Sequence, residues 1–182
     1  MPREPIVPLS SVSGIGLVPI LRSFGENLVG CELGVCSAIN LRYFLDSLDN
    51  LHKIYAIDPW QPYDDWNRPI YQEEVDRWKA EAMAYIDPYK DKVTILEMDS
   101  LSAAAHIPDG SLDFIFIDGD HSYDAVLRDV NLYWSKVRPG GIFAGHDWNL
   151  PDVNRAVQEY RNTNNITTPV HNVDNNVWFW IK

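Results

Sequence analysis

The feature that most constrains this chain is a regular alternation of short apolar runs with amphipathic stretches, in which run after run closes on an acid. Residues 28–33 (LVGCEL), 53–58 (KIYAID), 92–99 (KVTILEMD), 112–118 (LDFIFID) and 140–147 (GGIFAGHD) read as strands. Such runs are apolar on both faces, which predicts strands buried on both sides. Between them, residues 37–48, 69–86, 100–106 and 123–137 carry apolar residues at helical spacing, and residues 153–161 form a last helix. Pro69 suits a first helical turn, Ser122 suits a cap, and Pro139-Gly140-Gly141 suits a turn into the fifth strand. The expected fold is α/β: a Rossmann-like doubly wound sheet, mostly parallel, of seven strands. The last two, residues 167–173 and 176–182, form a C-terminal antiparallel hairpin around Asn175-Asn176.

A length of 182 residues fits one domain. Residues 1–27, with four prolines and a short helix expected at 20–24, read as a leader, and residues 28–182 as the domain proper. The formal net charge of -11 and the absence of a Lys/Arg cluster argue against nucleic acid and anionic membrane as partners. Cys31 and Cys36 match no zinc spacing and read as reduced packing residues. With no signal peptide and no long apolar run, the expected location is cytoplasmic.

In a parallel sheet the carboxyl ends of the strands share one edge, and ligands bind there where strand order reverses. With the first strand central, flanked by the second and fourth, Glu32, Asp58 and Asp118 converge on that edge, with Asp99 and Asp147 on the same rim. Converging carboxylates repel unless a cation or hydrogen-bond donors offset them. Asp58, at the end of the second strand, suits the two hydroxyls of a ribose. Gly34 lets the backbone approach a ligand closely. Asp99-Ser100 can read an adenine edge. The chain lacks the three-glycine pyrophosphate cradle, which disfavours a nicotinamide dehydrogenase. A nucleoside bearing positive charge satisfies these demands together, and S-adenosylmethionine is such a molecule.

At this point the sequence resembles class I S-adenosylmethionine-dependent methyltransferases, most of all the small-molecule O-methyltransferases acting on sugar hydroxyls of macrolide and aminocoumarin antibiotics. The segments carrying the resemblance are CELGV, YAIDPW, IDGDHSYDAVLRDV and RPGGIFAGHDW. It implies that Glu32, Gly34, Asp58, Asp99, Ser100 and Asp118 line the cofactor site. It implies that Asp118, His146 and Asp147 ligate a divalent cation, magnesium or manganese, and that Asp120 or His121 is the base. The acceptor would be a hydroxyl of a small molecule, held by residues 59–69 and 149–154. A second copy of the chain could complete that pocket. Two positions depart from the pattern: Ala38 stands where many relatives have glycine, and His146 where they have an acid.

The residues by themselves leave two other readings open. One is a metal-independent methyltransferase with His121 as base. The other is a non-catalytic protein that binds a nucleoside. Trp60, Trp66 and Trp148, just beyond strand ends, read equally as stacking platforms or as core.

Overall fold

The computed structural model describes residues 14–64, 68–174 and 176–182. After a 3-10 turn at Ile15–Leu17 and helix α1 (Val18–Arg22), the chain alternates β1 (Leu28–Leu33), α2 (Ile39–Ser47) and β2 (Leu51–Ile57). A short ribbon of β3 (Tyr63–Asp64) and β4 (Pro69–Ile70) precedes α3 (Gln72–Ile86) and β5 (Val93–Leu96). Then come α4 (Ser100–Ala103), β6 (Leu112–Ile117), α5 (Tyr123–Trp134), β7 (Val137–Gly145), α6 (Pro151–Thr163), β8 (His171–Val173) and β9 (Val177–Ile181). The main sheet has seven strands in the order β5-β2-β1-β6-β7-β9-β8. β9 runs antiparallel to β7 and to β8, and the other pairings are parallel.

Two apolar layers cover the sheet, and the alternation within each strand decides which residue joins which. Phe114, Phe116, Ile142 and Ala144 face α1, α2 and α3. Ile115, Ile117, Phe143, Trp178 and Trp180 face α4, α5 and α6. Phe44 of α2 packs edge-on against Phe114 and Phe116, at ring distances of 5.7 and 5.6 Å. Gly30 makes room, since a Cβ there would lie 2.3 Å from the Phe114 ring. On the other face Phe143, Trp178 and Trp180 stack at 5.1–6.3 Å.

Several local expectations are corrected. Pro69 lies in β4, and α3 begins three residues later, with the Arg68 guanidinium held by Glu74 through two 2.7 Å bonds. Val137 opens β7 instead of closing α5, and Pro139-Gly140-Gly141 sits inside that strand. The pairing with β6 slips there between Leu112 and Phe114, and Gly140 takes φ +76, so the tripeptide forms an irregularity and not the strand's start. Ser122 occupies the cap position of α5 without a side-chain bond; Asp120 Oδ1 instead accepts from the Ser122 N–H at 2.8 Å. Residues 1–13 of the expected leader, Trp66 and Asn175 lie outside the described residues. No helix among the described residues is long and apolar enough to cross a membrane.

Candidate active site

Strand register brings the acids together. Glu32 pairs with Ala56 on one side and Phe116 on the other, so Asp58 and Asp118 each stand two residues further along the flanking strands. The ladder continues past the strand ends: Gly34 N–H donates to Ile57, Asp118 N–H to Leu33 and His146 N–H to Ile117, at 2.9–3.0 Å. Side chains at these ends are therefore held by rigid backbone.

Glu32 is 1% exposed. Its Oε1 accepts from Asn40 Nδ2 at 3.0 Å, while Oε2 is buried with no hydrogen-bond partner. Burial pushes its carboxyl well above the usual range, Asn40 works against that, and the charges of Asp118 and Asp58 add to it. Asp58 Oδ2 accepts from Cys36 N–H at 2.8 Å and Oδ1 from Trp60 N–H at 2.7 Å. Its pKa is raised by burial, with the N–H groups of Cys36, Trp60 and Val35 opposing. Gly34 has φ +84, and a Cβ there would lie 2.1 Å from the Asp118 carbonyl oxygen. The glycine is thus demanded by the crossing of two chain segments at the rim, whatever a ligand requires. Ala38 adopts φ +62, a left-handed conformation that glycine takes at lower cost.

Asp99 and Ser100 follow β5, the outermost strand on that side. Asp99 caps α4, accepting from the Ser102 N–H at 2.8 Å, a bond that lowers its pKa. Ser100 Oγ donates to the buried Asp129 of α5 at 2.6 Å. Both side chains are engaged locally. The Trp60 ring is buried, and its Nε1–H donates to the Cys36 carbonyl at 2.9 Å, which makes it a strut for the β1–α2 loop and not an open stacking face. Cys31 is buried as expected, but Cys36 is exposed, a correction to its reading as a packing residue. The segment read as acceptor loop folds partly into the β3–β4 ribbon, with Tyr63 exposed.

The second constellation lies at the ends of β6 and β7. Asp118, His121 and Asp147 each bring one ligand atom within 4.8 Å of the others. His121 Nε2 lies 2.7 Å from Asp147 Oδ2 and 3.8 Å from Asp118 Oδ1. His146 Nδ1 lies 3.1 Å from Asp147 Oδ2 and 3.5 Å from Asp118 Oδ1. Asp120, by contrast, is exposed and bound to the backbone of its own turn. Burial alone would lower both histidines, but their bonds to the two aspartates raise His121 to about 10 and His146 to about 9. Burial alone would raise the aspartates, yet the bonds from the two imidazoles hold both below the usual carboxylate range. In the free protein the two imidazoles thus lie against the two carboxylates and offset them. The donor set of two carboxylates and an imidazole fits a divalent cation, and the imidazole favours manganese over magnesium.

Sequence reading did not anticipate Asn40, Asp129, Asn176 or Trp178. Asn40 left a signal, a polar residue at a core-facing helical position beside Leu41, Phe44 and Leu45. Asn176 left none: its Nδ2 meets His146 Nε2 at 3.0 Å and Asp147 Oδ1 at 3.4 Å because β9 returns beside β7. Trp178 Nε1–H donates to the His146 carbonyl at 2.8 Å.

Comparison with known proteins bears on this site. Residues 31–148 match the family described as "Methyltransferase domain". The O-methyltransferase NovP superposes with a TM-score of 0.66 at 19% identity, covering 92% of this chain and 80% of its own. The O-methyltransferase from Bacillus cereus, solved in complex with SAH, gives a TM-score of 0.67 at 13% identity over 100% of this chain and 84% of its own. A curated relative, uncharacterized protein R132 of Acanthamoeba polyphaga mimivirus, is 38% identical over 61 residues, 29% of this chain and 27% of that protein.

Proposed function

The chain belongs to the methyltransferase-domain family, and from that premise we propose that it methylates a hydroxyl oxygen of a small molecule, a sugar or glycosylated metabolite, with a divalent cation beside the reacting oxygen. The methyl donor is S-adenosylmethionine. The observation that carries the proposal is the Asp118–His121–Asp147 group, set on the same rim as Glu32 and Asp58.

Asp58 suits the ribose. Each of its oxygens already accepts one backbone N–H, which fixes the carboxylate plane and leaves a lone pair on each for a hydroxyl. Glu32, with one buried oxygen unpartnered and its ionisation disfavoured by burial, would gain its charge when a cationic donor arrives. Transfer is an in-line displacement: the methyl carbon–sulfur bond breaks as the carbon–oxygen bond forms, and the hydroxyl proton passes to the Asp120 carboxylate, which is exposed and oriented by the Ser122 N–H. Much of the rate comes from holding donor and acceptor aligned.

A cation held by Asp118, His121 and Asp147 would supply Lewis-acid activation of the hydroxyl when bound. In the free protein His121 Nε2 lies 2.7 Å from Asp147 Oδ2, and against the effect of burial the two aspartates raise its pKa to about 10, which favours the protonated form over a free base. It becomes basic only when the positive charge between the carboxylates comes from elsewhere, which weighs against metal-independent base catalysis. The direct test is incubation with S-adenosylmethionine and a panel of sugars and glycosides, read by mass spectrometry, with chelator and with manganese restored. Transfer that ignores chelator would reject the cation. Calorimetric binding of S-adenosylmethionine with no acceptor methylated would reject the enzyme in favour of a nucleoside-binding protein.

A further inference from the structure

We infer that His146 meets the carboxylate pair as a hydrogen-bond donor and not as a metal ligand, and that Asn176 is the positioning residue that makes it so. The inference rests on the cation reading above and names which imidazole serves it, where the resemblance pointed to His146.

An imidazole that ligates a metal turns one bare nitrogen to the ion and donates its other N–H to a carboxylate or carbonyl. The far nitrogen of His146 meets the opposite polarity, the side-chain amide nitrogen of Asn176 at 3.0 Å. Two contacts orient that amide. Asn149 N–H donates to Asn176 Oδ1 at 3.3 Å, and Asn176 Nδ2 donates to Asp147 Oδ1 at 3.4 Å. Turning the amide over would set its oxygen against a carboxylate oxygen and its NH2 against an N–H. The two Nδ2 hydrogens thus go to Asp147 and to His146 Nε2, and Nε2 accepts. The His146 proton then belongs on Nδ1, aimed at Asp147 Oδ2 and Asp118 Oδ1. The carboxylates strengthen this Nδ1 proton, while the amide opposes a second one on Nε2.

The arrangement is stiff. Trp148 N–H donates to the Asn176 carbonyl at 3.0 Å, and Trp178 Nε1–H to the His146 carbonyl at 2.8 Å. Asp147 is held at φ +58 between them. Asn176, just before β9, and Trp178, within it, therefore staple the segment after β7. His121 comes from the β6–α5 loop, outside this clamp, and its Nε2 sits among the aspartate oxygens.

The test is a nitrogen–proton correlation spectrum of the histidine rings, recorded along a rising pH series until the His146 ring shows its neutral form. The signal is assigned with H146Q. Wild type should show the proton on Nδ1. N176D, which places an acceptor behind Nε2, should move it to Nε2. In parallel, calorimetry with manganese chloride should show H121Q weakening binding at least about tenfold, and H146Q, whose amide can still donate, changing it far less. A wild-type proton on Nε2, or a loss in H146Q equal to that in H121Q, overturns the inference. If wild type binds no manganese, the cation reading fails by itself, and the wild-type ring spectrum alone still decides the placement of His146.

Discussion

Replacing Gly34 with alanine separates two reasons for a glycine at this rim. The residue has φ +84, and an added Cβ would lie 2.1, 2.6 and 2.8 Å from the carbonyl oxygen and carbon of Asp118 and the Cα of Gly119. All three are backbone atoms, so no side chain can swing aside. The left-handed conformation costs an alanine about 1–2 kcal/mol. Forcing the crossing apart adds ~1–3 kcal/mol of overpacking. Gly110 is the internal control: it has φ +65 and nothing within 4 Å of its missing Cβ, so G110A should lose only the conformational part. The excess of G34A over G110A then corresponds to roughly 2–12 °C of melting temperature for a chain of this size. Urea and thermal unfolding of both variants read it, beside calorimetric binding of S-adenosylhomocysteine. Equal destabilisation of the two variants, with cofactor affinity lost only in G34A, would refute the steric reasoning and return Gly34 to a purely ligand-facing role.

Phe44, fully buried and edge-on to two other phenylalanines, should lose about 3–5 kcal/mol on truncation to alanine, measured by urea unfolding. E32Q should leave stability equal or higher, because the carboxyl is held in a site that disfavours its charge, yet weaken S-adenosylmethionine binding in calorimetry. D58A should weaken S-adenosylhomocysteine binding at least about tenfold, through loss of both ribose acceptors and of the Cys36 and Trp60 N–H partners that order the loop. His121 and His146 have folded pKa values raised to about 10 and about 9. Their stabilisation is whole below the unfolded value of ~6.5 and fades as pH climbs through 9 to 10. Asp147 is lowered, so its share is whole above its unfolded ~3.9 and fades as pH falls. In a chemical-denaturation series across pH, D147N should flatten both slopes; persistence of the alkaline decline at full size would show that these histidines do not draw on Asp147.

Strand positions, the central place of β1 and the shared rim were legible because burial on both faces writes itself into runs such as LDFIFID, and right-handed crossovers then leave few orders of strands. Boundaries slipped where a residue type has two uses. Pro69 is as acceptable in an edge ribbon as in a first helical turn, and Gly140 serves a strand irregularity as readily as a turn. Glu32, Asp58, Asp118 and Asp147 were legible as acids closing strands. Their partners were not: Asn40, in the next helix, left only the signal of a polar residue on a core-facing position, and Asn176 left none, because it lies 30 residues from His146 and meets it through strand pairing. Asp120 and His121 were indistinguishable as adjacent polar residues. The backbone parts them, binding Asp120 to the Ser122 N–H and turning His121 toward Asp147.

The electrostatics of the rim argue that its two ends have different work. At the Glu32–Asp58 end the charges are met, among the described residues, by amide N–H groups of Asn40, Cys36 and Trp60. Both carboxyls there have pKa values raised by burial. Such a site gains most from a ligand that brings its own positive charge, as a sulfonium does. At the Asp118–Asp147 end the chain supplies two imidazoles, and both carboxyls are held low. A ligand arriving there competes with protons already in place. A singly charged group gains little by that exchange, whereas a divalent ion can displace a proton and still leave the pair compensated. The same four acids thus divide into a half that is short of positive charge and a half to which the chain already supplies imidazoles, the division that the proposed cationic methyl donor and divalent cation would use.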